Sequence, residues 1–367
     1  MRNPAYLFPL IATLAAVGCS DHATVEPIPQ QTDASPSNRG ARQVVVMSRN
    51  MYIGADVDQV VRALATNGDV TAALQSALTQ LQRTDFPTRM QGIADEIALN
   101  RPGVLGLQEA YVLYVDLASL GMGEGTIHLD FLGALRAALA ARGLNYVVAG
   151  VSNLTDANLA GGAIHLVDHD ALLIDPAHVT LTGSVTTSTF TYNLPALASL
   201  SLLRGYIAQP AIVEGVPALI VNSHTESGWD EGLRELRAAQ AMELAAVTEG
   251  VPNVILMGDL NDIPGSLLHA VLAGAGLTDV WAAMRPDVPG YSCCQSADLS
   301  NRLPALDQRI DYVWTRGFTG PSGALQGHVT LTSDTPSGLL NGAFGMVWPS
   351  DHAGLVATLL LPPAAAR

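Results

Sequence analysis

Apolar positions along this chain follow two periods. Gln43–Met47 (QVVVM), Gly103–Leu107 (GVLGL), Ala171–Ile174 (ALLI) and Val254–Met257 (VILM) are short apolar runs bounded by turn or polar residues, which predicts buried strands. Tyr146–Val151, Val179–Leu181, Ile310–Thr315 and Leu355–Leu361 extend the series. Gly205–Val213 and Ala218–Ser223 face each other across a Glu-Gly-Val-Pro turn and predict a hairpin. Helical spacing fills residues 54–81 with a break at Asn67-Gly68, then Pro87–Leu99, Leu129–Arg142 and residues 231–248, where Leu233, Leu236, Leu244 and Val247 share a face. Hairpins mixed with strand–helix alternation predict a layered α/β sandwich rather than a parallel barrel.

The polar residues that interrupt this pattern fall where predicted strands end. VVVMSRN delivers Asn50, GVLGLQE delivers Gln108 and Glu109, and ALIVNSHTE delivers Asn222 and His224. VILMGDLND delivers Asp259 and Asn261, RIDYVW carries Asp311, and SDH places Asp351 and His352 ahead of the last strand. Burying a carboxylate without a partner costs several kcal/mol. Any one of these residues has a structural explanation as a cap, an ion pair or a satisfied core histidine. Together they mark a rim where rigid strands hold side chains in place for chemistry. Hard oxygen donors such as Glu109 and Asp351 suit Mg²⁺ or Ca²⁺. Histidines beside carboxylates suit phosphoryl contact or proton movement. Asp259 and Asn261, two apart on an extended segment, project to one side, where a carboxylate accepts a water proton and an amide orients that water.

Composition narrows the chemistry. All eighteen basic residues are arginine, which excludes a Schiff-base or P-loop lysine. A net charge of −15 argues against a broad nonspecific grip on nucleic acid, but not against a phosphorylated substrate held through a cation. There is no dinucleotide-binding glycine fingerprint after an early strand and no GxSxG elbow. The N-terminus reads as a signal peptide over residues 1–18, with Arg2 ahead of the apolar run Ala5–Val17. Gly18-Cys19-Ser20 is similar to a bacterial lipobox, although Ala16 stands where Leu is usual. This predicts a mature protein lipidated at Cys19, anchored at the cell envelope, or alternatively secreted. Residues 19–40, rich in Pro, Ser, Gln and Asp, read as a flexible tether, and residues 41–363 as the catalytic domain. The adjacent Cys293 and Cys294 suit neither a zinc finger nor a CxxC pair, and read either as a vicinal disulfide or as two thiols.

The ordered set SRN, LQE, NSHTE, GDLND, RIDYVW and SDH resembles the endonuclease/exonuclease/phosphatase superfamily, over residues 43–362. The resemblance implies a four-layered α/β sandwich of two packed mixed β-sheets flanked by helices, with the site at one edge. It implies a metal site at Asn50, Glu109 and Asp351, with Glu109 a direct ligand of Mg²⁺, Mn²⁺ or Ca²⁺. It implies that His224 touches the scissile phosphate, that Asp259 and Asn261 position or activate water, and that Asp311 orients His352. Whether Asp259 or His352 takes the water proton stays open, and His224 has no assigned partner. His224-Thr225 stands where the family usually has His-Leu, and GDLN replaces the common GDFN.

These readings converge on a metal-dependent phosphodiesterase, nuclease or phosphatase whose substrate is a phospholipid, a phosphosugar or nucleic acid, with no protein partner implied. The alternatives are a non-catalytic envelope-anchored binding protein of the same fold and a calcium-stabilised adhesion module. Loops 116–128 and 183–204 lack the basic clusters of a DNA-gripping surface. The long segment between Asn50 and Glu109 reads as a surface insertion rather than a wall of the cleft. The run IHLVDHD (residues 164–170) reads as an edge strand whose polar residues face water.

Overall fold

In a computed structural model, residues 42–196, 201–320 and 322–361 are described. The signal peptide, Cys19 and the tether lie outside the described residues.

The β-branched run at Gln43–Asn50 becomes the centre of one sheet because its two alternating faces are both apolar. Val44 and Val46 point to the opposing sheet, and Met47 to the covering helices. This strand pairs in parallel with Val104–Gln108 and antiparallel with Gly354–Leu360. The sheet continues through Ile164–Ile174 to Val112–Asp116 and Thr126–Asp130, with Gly327–Thr332 at its other edge and Val147–Leu159 pairing Ile164–Ile174. The second sheet repeats this logic. Val254–Asp259 pairs in parallel with Val216–His224 and antiparallel with Asp311–Arg316. The predicted hairpin forms, with Gly205–Val213 antiparallel to Val216–His224.

The sheets pack face to face through Val44, Val46, Leu172, Ile220, Ile255 and Val313. Helices Phe86–Asn100 and Phe131–Ala141 cover the first sheet, and Glu231–Val247 and Leu267–Gly274 the second. The result is the expected four-layered sandwich. Gly106 marks a close approach of the sheets: a Cβ there would lie 2.5 Å from Asn222 Oδ1 and 2.8 Å from Met257. Asn222 therefore serves the sandwich, not the rim. Its amide donates to the carbonyls of Leu107 and Ala171, and its Oδ1 accepts from Gln108 Nε2 at 2.7 Å.

Two sequence expectations are corrected. The IHLVDHD segment forms the first part of an interior strand flanked by three others, not an edge. Its alternation puts His165 and His169 outward and buries Asp168 and Asp170. The segment between Asn50 and Glu109 is also more than a surface insertion. It splits at Asn67-Gly68 as predicted into helices Asp58–Ala65 and Val70–Arg83, which lay Val60, Leu74, Leu78 and Leu81 over the sheet.

Candidate active site

Strand register assembles the rim. Asn50 pairs with Gln108 in the parallel pair of the first sheet, so Asn50 and the next residue, Glu109, emerge together. His224 pairs with Asp259 in the parallel pair of the second sheet, and Asp259 pairs with Asp311 across the antiparallel one. Asp351 and His352 arrive from the turn before the final strand. Seven residues from six distant segments thereby share one edge of the sandwich.

Hydrogen bonds and close charged contacts link them. Asn50 Nδ2 donates to Glu109 Oε1 and to Asp259 Oδ2, each at 3.0 Å, bridging the two sheets. Its Oδ1 accepts from the Tyr52 backbone, so in this arrangement Asn50 presents N–H rather than oxygen to Glu109. Glu109 Oε2 accepts from the Ile53 backbone. His352 Nδ1 lies 2.8 Å from Asp311 Oδ2, and its Nε2 lies 3.6 Å from Asp259 Oδ2. His224 Nε2 stands at the same 3.6 Å from that oxygen. The Asn261 backbone donates to Asp259 Oδ1, and its side-chain amide donates to the Thr225 carbonyl. Asn261 takes a left-handed backbone (φ 48°), which asparagine tolerates better than most residues and which turns the chain back toward Asp259. Asp262, by contrast, leaves the rim and pairs with buried Arg237 at 3.2 Å.

Burial makes this network electrostatically uneven. Asn50, His224, Asp259 and Asp311 are almost wholly buried, whereas Glu109, Asn261 and Asp351 keep partial access to solvent. Burial pushes the Asp259 carboxyl up to about 7, against the pull of His352. Burial works against protonation of His352, yet Asp311, Asp259 and Asp351 outweigh it and hold the ring well above the usual histidine range. Burial, then Arg204 and His352, hold His224 well below it. Two histidines on one rim are thus driven in opposite directions, one toward imidazolium and one toward neutral imidazole.

Residues beyond the predicted set complete the site. Arg204 Nη1 lies 2.9 Å from His224 Nδ1 and is flanked by Asp168 at 3.6 Å and Glu226 at 3.8 Å. Asp170, fully buried, sits 4.0 Å from the same ring nitrogen. Burial, then Asp168, drive its carboxyl well above the usual range. Arg49, inside the SRN motif, pairs with Glu96 and donates to the His352 carbonyl. Ser350 Oγ donates to the Asn50 carbonyl and accepts from the His352 backbone, tying the SDH turn to the first strand. Cys293 and Cys294 form a disulfide in a segment strapped to the same turn: Gln295 N donates to Asp351 O, and Ala353 N to Ser292 O.

The donor set suits a hard divalent cation at Glu109 and Asp351. Burial pushes Asp351 up to about 6; His352 opposes this, and Glu109 adds to it. Two carboxylates that disfavour each other's charge are relieved by a shared cation. Among the described residues, Glu109 and Asp351 have no third carboxylate, histidine or cysteine close enough to close a cage. A cation held there would be completed by water, as Mg²⁺ commonly is. Asp259, Asp311 and His352 also lie close enough to hold an ion; there His352 is hydrogen-bonded to Asp311, while Asp259 stands 3.6 Å from the other ring nitrogen.

Residues 67–352 match the sequence profile described as "Endonuclease/Exonuclease/phosphatase family". Asn50 lies ahead of that span. No curated protein matches the chain. Among solved structures, an endonuclease/exonuclease/phosphatase from Beutenbergia cavernae is 21% identical, with a TM-score of 0.55, covering 89% of this chain and 74% of its own. A humanized D. rerio TDP2 is 16% identical, with a TM-score of 0.52, covering 86% of this chain and 98% of its own. A Bacteroides thetaiotaomicron endonuclease/exonuclease/phosphatase family protein is 16% identical with a TM-score of 0.52, covering 87% and 95%. At these identities the likeness is one of fold.

Proposed function

Because the chain belongs to the Endonuclease/Exonuclease/phosphatase family, we propose that it is a divalent-metal-dependent hydrolase of phosphoester bonds. The observation that carries this reading is the single hydrogen-bonded path from Glu109 through Asn50 to Asp259, with His352 and Asp311 beside it. A binding protein that had lost catalysis has no reason to keep buried, mutually repelling acids at a rim, because each one costs stability.

Glu109 and Asp351 would hold the cation, and Asn50 keeps Glu109 turned toward it. A bound Mg²⁺ or Mn²⁺ supplies Lewis-acid polarisation of a phosphoryl oxygen. Asp259 is the base: its Oδ1 is fixed by the Asn261 backbone and its Oδ2 by Asn50, so its orientation is set before water arrives. Asp259 is preferred to His352 in this reading, since a ring driven toward imidazolium has no lone pair to accept a proton. His352 instead donates from Nε2 to charge developing on phosphorus oxygens, with Asp311 fixing the ring. His224, driven toward its neutral form, is a second donor beside the same Asp259 oxygen.

The N-terminal sequence supports export and lipidation at Cys19, which would put this activity at the cell envelope. The functional test is release of p-nitrophenol from bis-p-nitrophenyl phosphate by the mature protein. Turnover that requires Mg²⁺ or Mn²⁺ and disappears in His352→Ala is expected. A folded wild-type protein with no turnover under any divalent cation would defeat the reading.

A further inference from the structure

The helix pair 58–65 and 70–83 does not close fully on the sheet beneath it. A cavity of about 150 Å³ remains, walled by Val60, Leu74 and Leu78 from the helices and by Leu113, Ile164 and Leu166 from the strands. Apolar-lined cavities of this size stay dry and accept a hydrocarbon of about six carbons. An unfilled one costs stability, because its lining loses contacts on one side.

The position of this cavity gives it meaning. Three of its walls leave the ends of catalytic strands. Ile53 follows Asn50 by three residues and donates its backbone N–H to Glu109 at 3.2 Å. Tyr111 follows Glu109 by two residues, and Glu226 follows His224 by two. Arg204 lines the polar end and touches His224 itself. The cavity therefore borders the rim through Arg204 and through the segments that follow Asn50, Glu109 and His224. The polar end does not read as a second phosphate site, because Asp168 and Glu226 already neutralise Arg204. A sugar or base would bring hydroxyl or amide groups against leucine, valine and isoleucine without partners.

We infer that the substrate is a phosphoester carrying an aliphatic chain, and that the first six or so carbons of that chain lie under the helix pair formed by residues 58–83. This rests on the hydrolase reading for where the phosphorus sits, and on the cavity for the rest. The chain is the specificity element, distinct from the residues that act on phosphorus.

The test is a series of p-nitrophenyl alkyl phosphodiesters with methyl, butyl, hexyl and decyl chains, assayed with Mg²⁺. Each methylene up to about six carbons should raise kcat/KM about three- to fourfold, with little gain beyond. Ala77, which lines the cavity from the second helix, is replaced by Phe to fill it. Ala77→Phe should flatten the series and leave methyl-ester turnover unchanged; Ala77→Leu, a milder intrusion, should shorten the plateau should the larger ring compromise folding. A flat series in wild type, with methyl ester turned over, overturns the inference while the hydrolase reading stands. If no ester is hydrolysed, the hydrolase reading fails, and calorimetry with hexylphosphonate against methylphosphonate decides the cavity. Tighter binding of the hexyl compound supports it, and equal binding overturns it.

Discussion

Arg204 Nη1 lies 2.9 Å from His224 Nδ1. A guanidinium cannot accept a hydrogen bond, so the imidazole must accept at Nδ1 and carry its proton on Nε2, the nitrogen that faces Asp259. The arginine thereby sets the tautomer of a rim histidine, a task often given to a carboxylate. It is itself fixed by Asp168 and Glu226.

Replacing this arginine should be costly in two ways. Arg204→Met leaves Asp168, Glu226 and Asp170 buried together without their cation, which is expected to cost about 3 kcal/mol. It also frees His224 to exchange tautomers. Urea unfolding should read the first effect. Histidine ¹⁵N shifts should read the second, with Nδ1 and Nε2 moving toward averaged values in the variant and well separated in wild type. Unaveraged shifts in a folded variant would show that another group sets the tautomer.

Asp311→Asn removes the carboxylate that orients and charges His352 while keeping its shape. We expect kcat to fall about a hundredfold or more with little change in KM, because the loss is felt mainly where charge develops in the transition state. Steady-state kinetics on a chromogenic diester check this, and circular dichroism should show an unchanged fold.

Asp351→Asn should move activity and stability in opposite directions. Its carboxyl is raised to about 6 in the folded protein, so ionising it opposes folding once pH exceeds the unfolded value near 4, and the penalty is full above about 6. At pH 7 in EDTA the variant should be more stable than wild type by about 3 kcal/mol. It should also lose both turnover and any Mg²⁺-induced rise in melting temperature. A variant that still melts higher when Mg²⁺ is added would remove Asp351 from the metal site.

Away from the rim, Asp279 offers a check on the frame. It caps the helix Val280–Met284, pairs with Arg309 at 2.8 Å and hydrogen-bonds His269 at 3.2 Å. Burial resists its charge, but His269, Arg309 and the helix N–H overcome this and hold its carboxyl below the ordinary value. Its stabilisation is present above pH 4 and fades as pH falls through the depressed folded value. Asp279→Asn should destabilise the protein by about 3 kcal/mol near neutrality. The gap from wild type should narrow below pH 4, measured by denaturation across pH. A gap independent of pH would assign the loss to packing.

Much of this molecule was legible as pattern. The apolar runs at Gln43–Met47 and Val254–Met257 read as buried strands, with the polar residues after them at the strand ends, and both strands form. The break at Asn67-Gly68 separated two helices for the usual reason, since both residues favour leaving the helix. Asp168 and Asp170 were misread because period-2 alternation shows which residues share a face, not whether that face meets water or a neighbouring layer. Their strand is interior, so the face is buried. Arg204 was missed because its link to His224 depends on hairpin register: Gly205 pairs with His224, which brings the preceding arginine beside the ring. A one-residue slip would turn it away.

The chain by itself therefore determined which residues are strand-end acids, amides and histidines, and the layered class of fold they require, because periodicity and burial cost are local properties of sequence. Only the tertiary structure decided which of those groups stand beside one another, which histidine is driven toward its charged form and which toward its neutral one, and that a largely apolar cavity opens beside them. Those outcomes depend on distances between segments up to about 300 residues apart, such as Asn50 and Ser350, and no pattern within one segment encodes them.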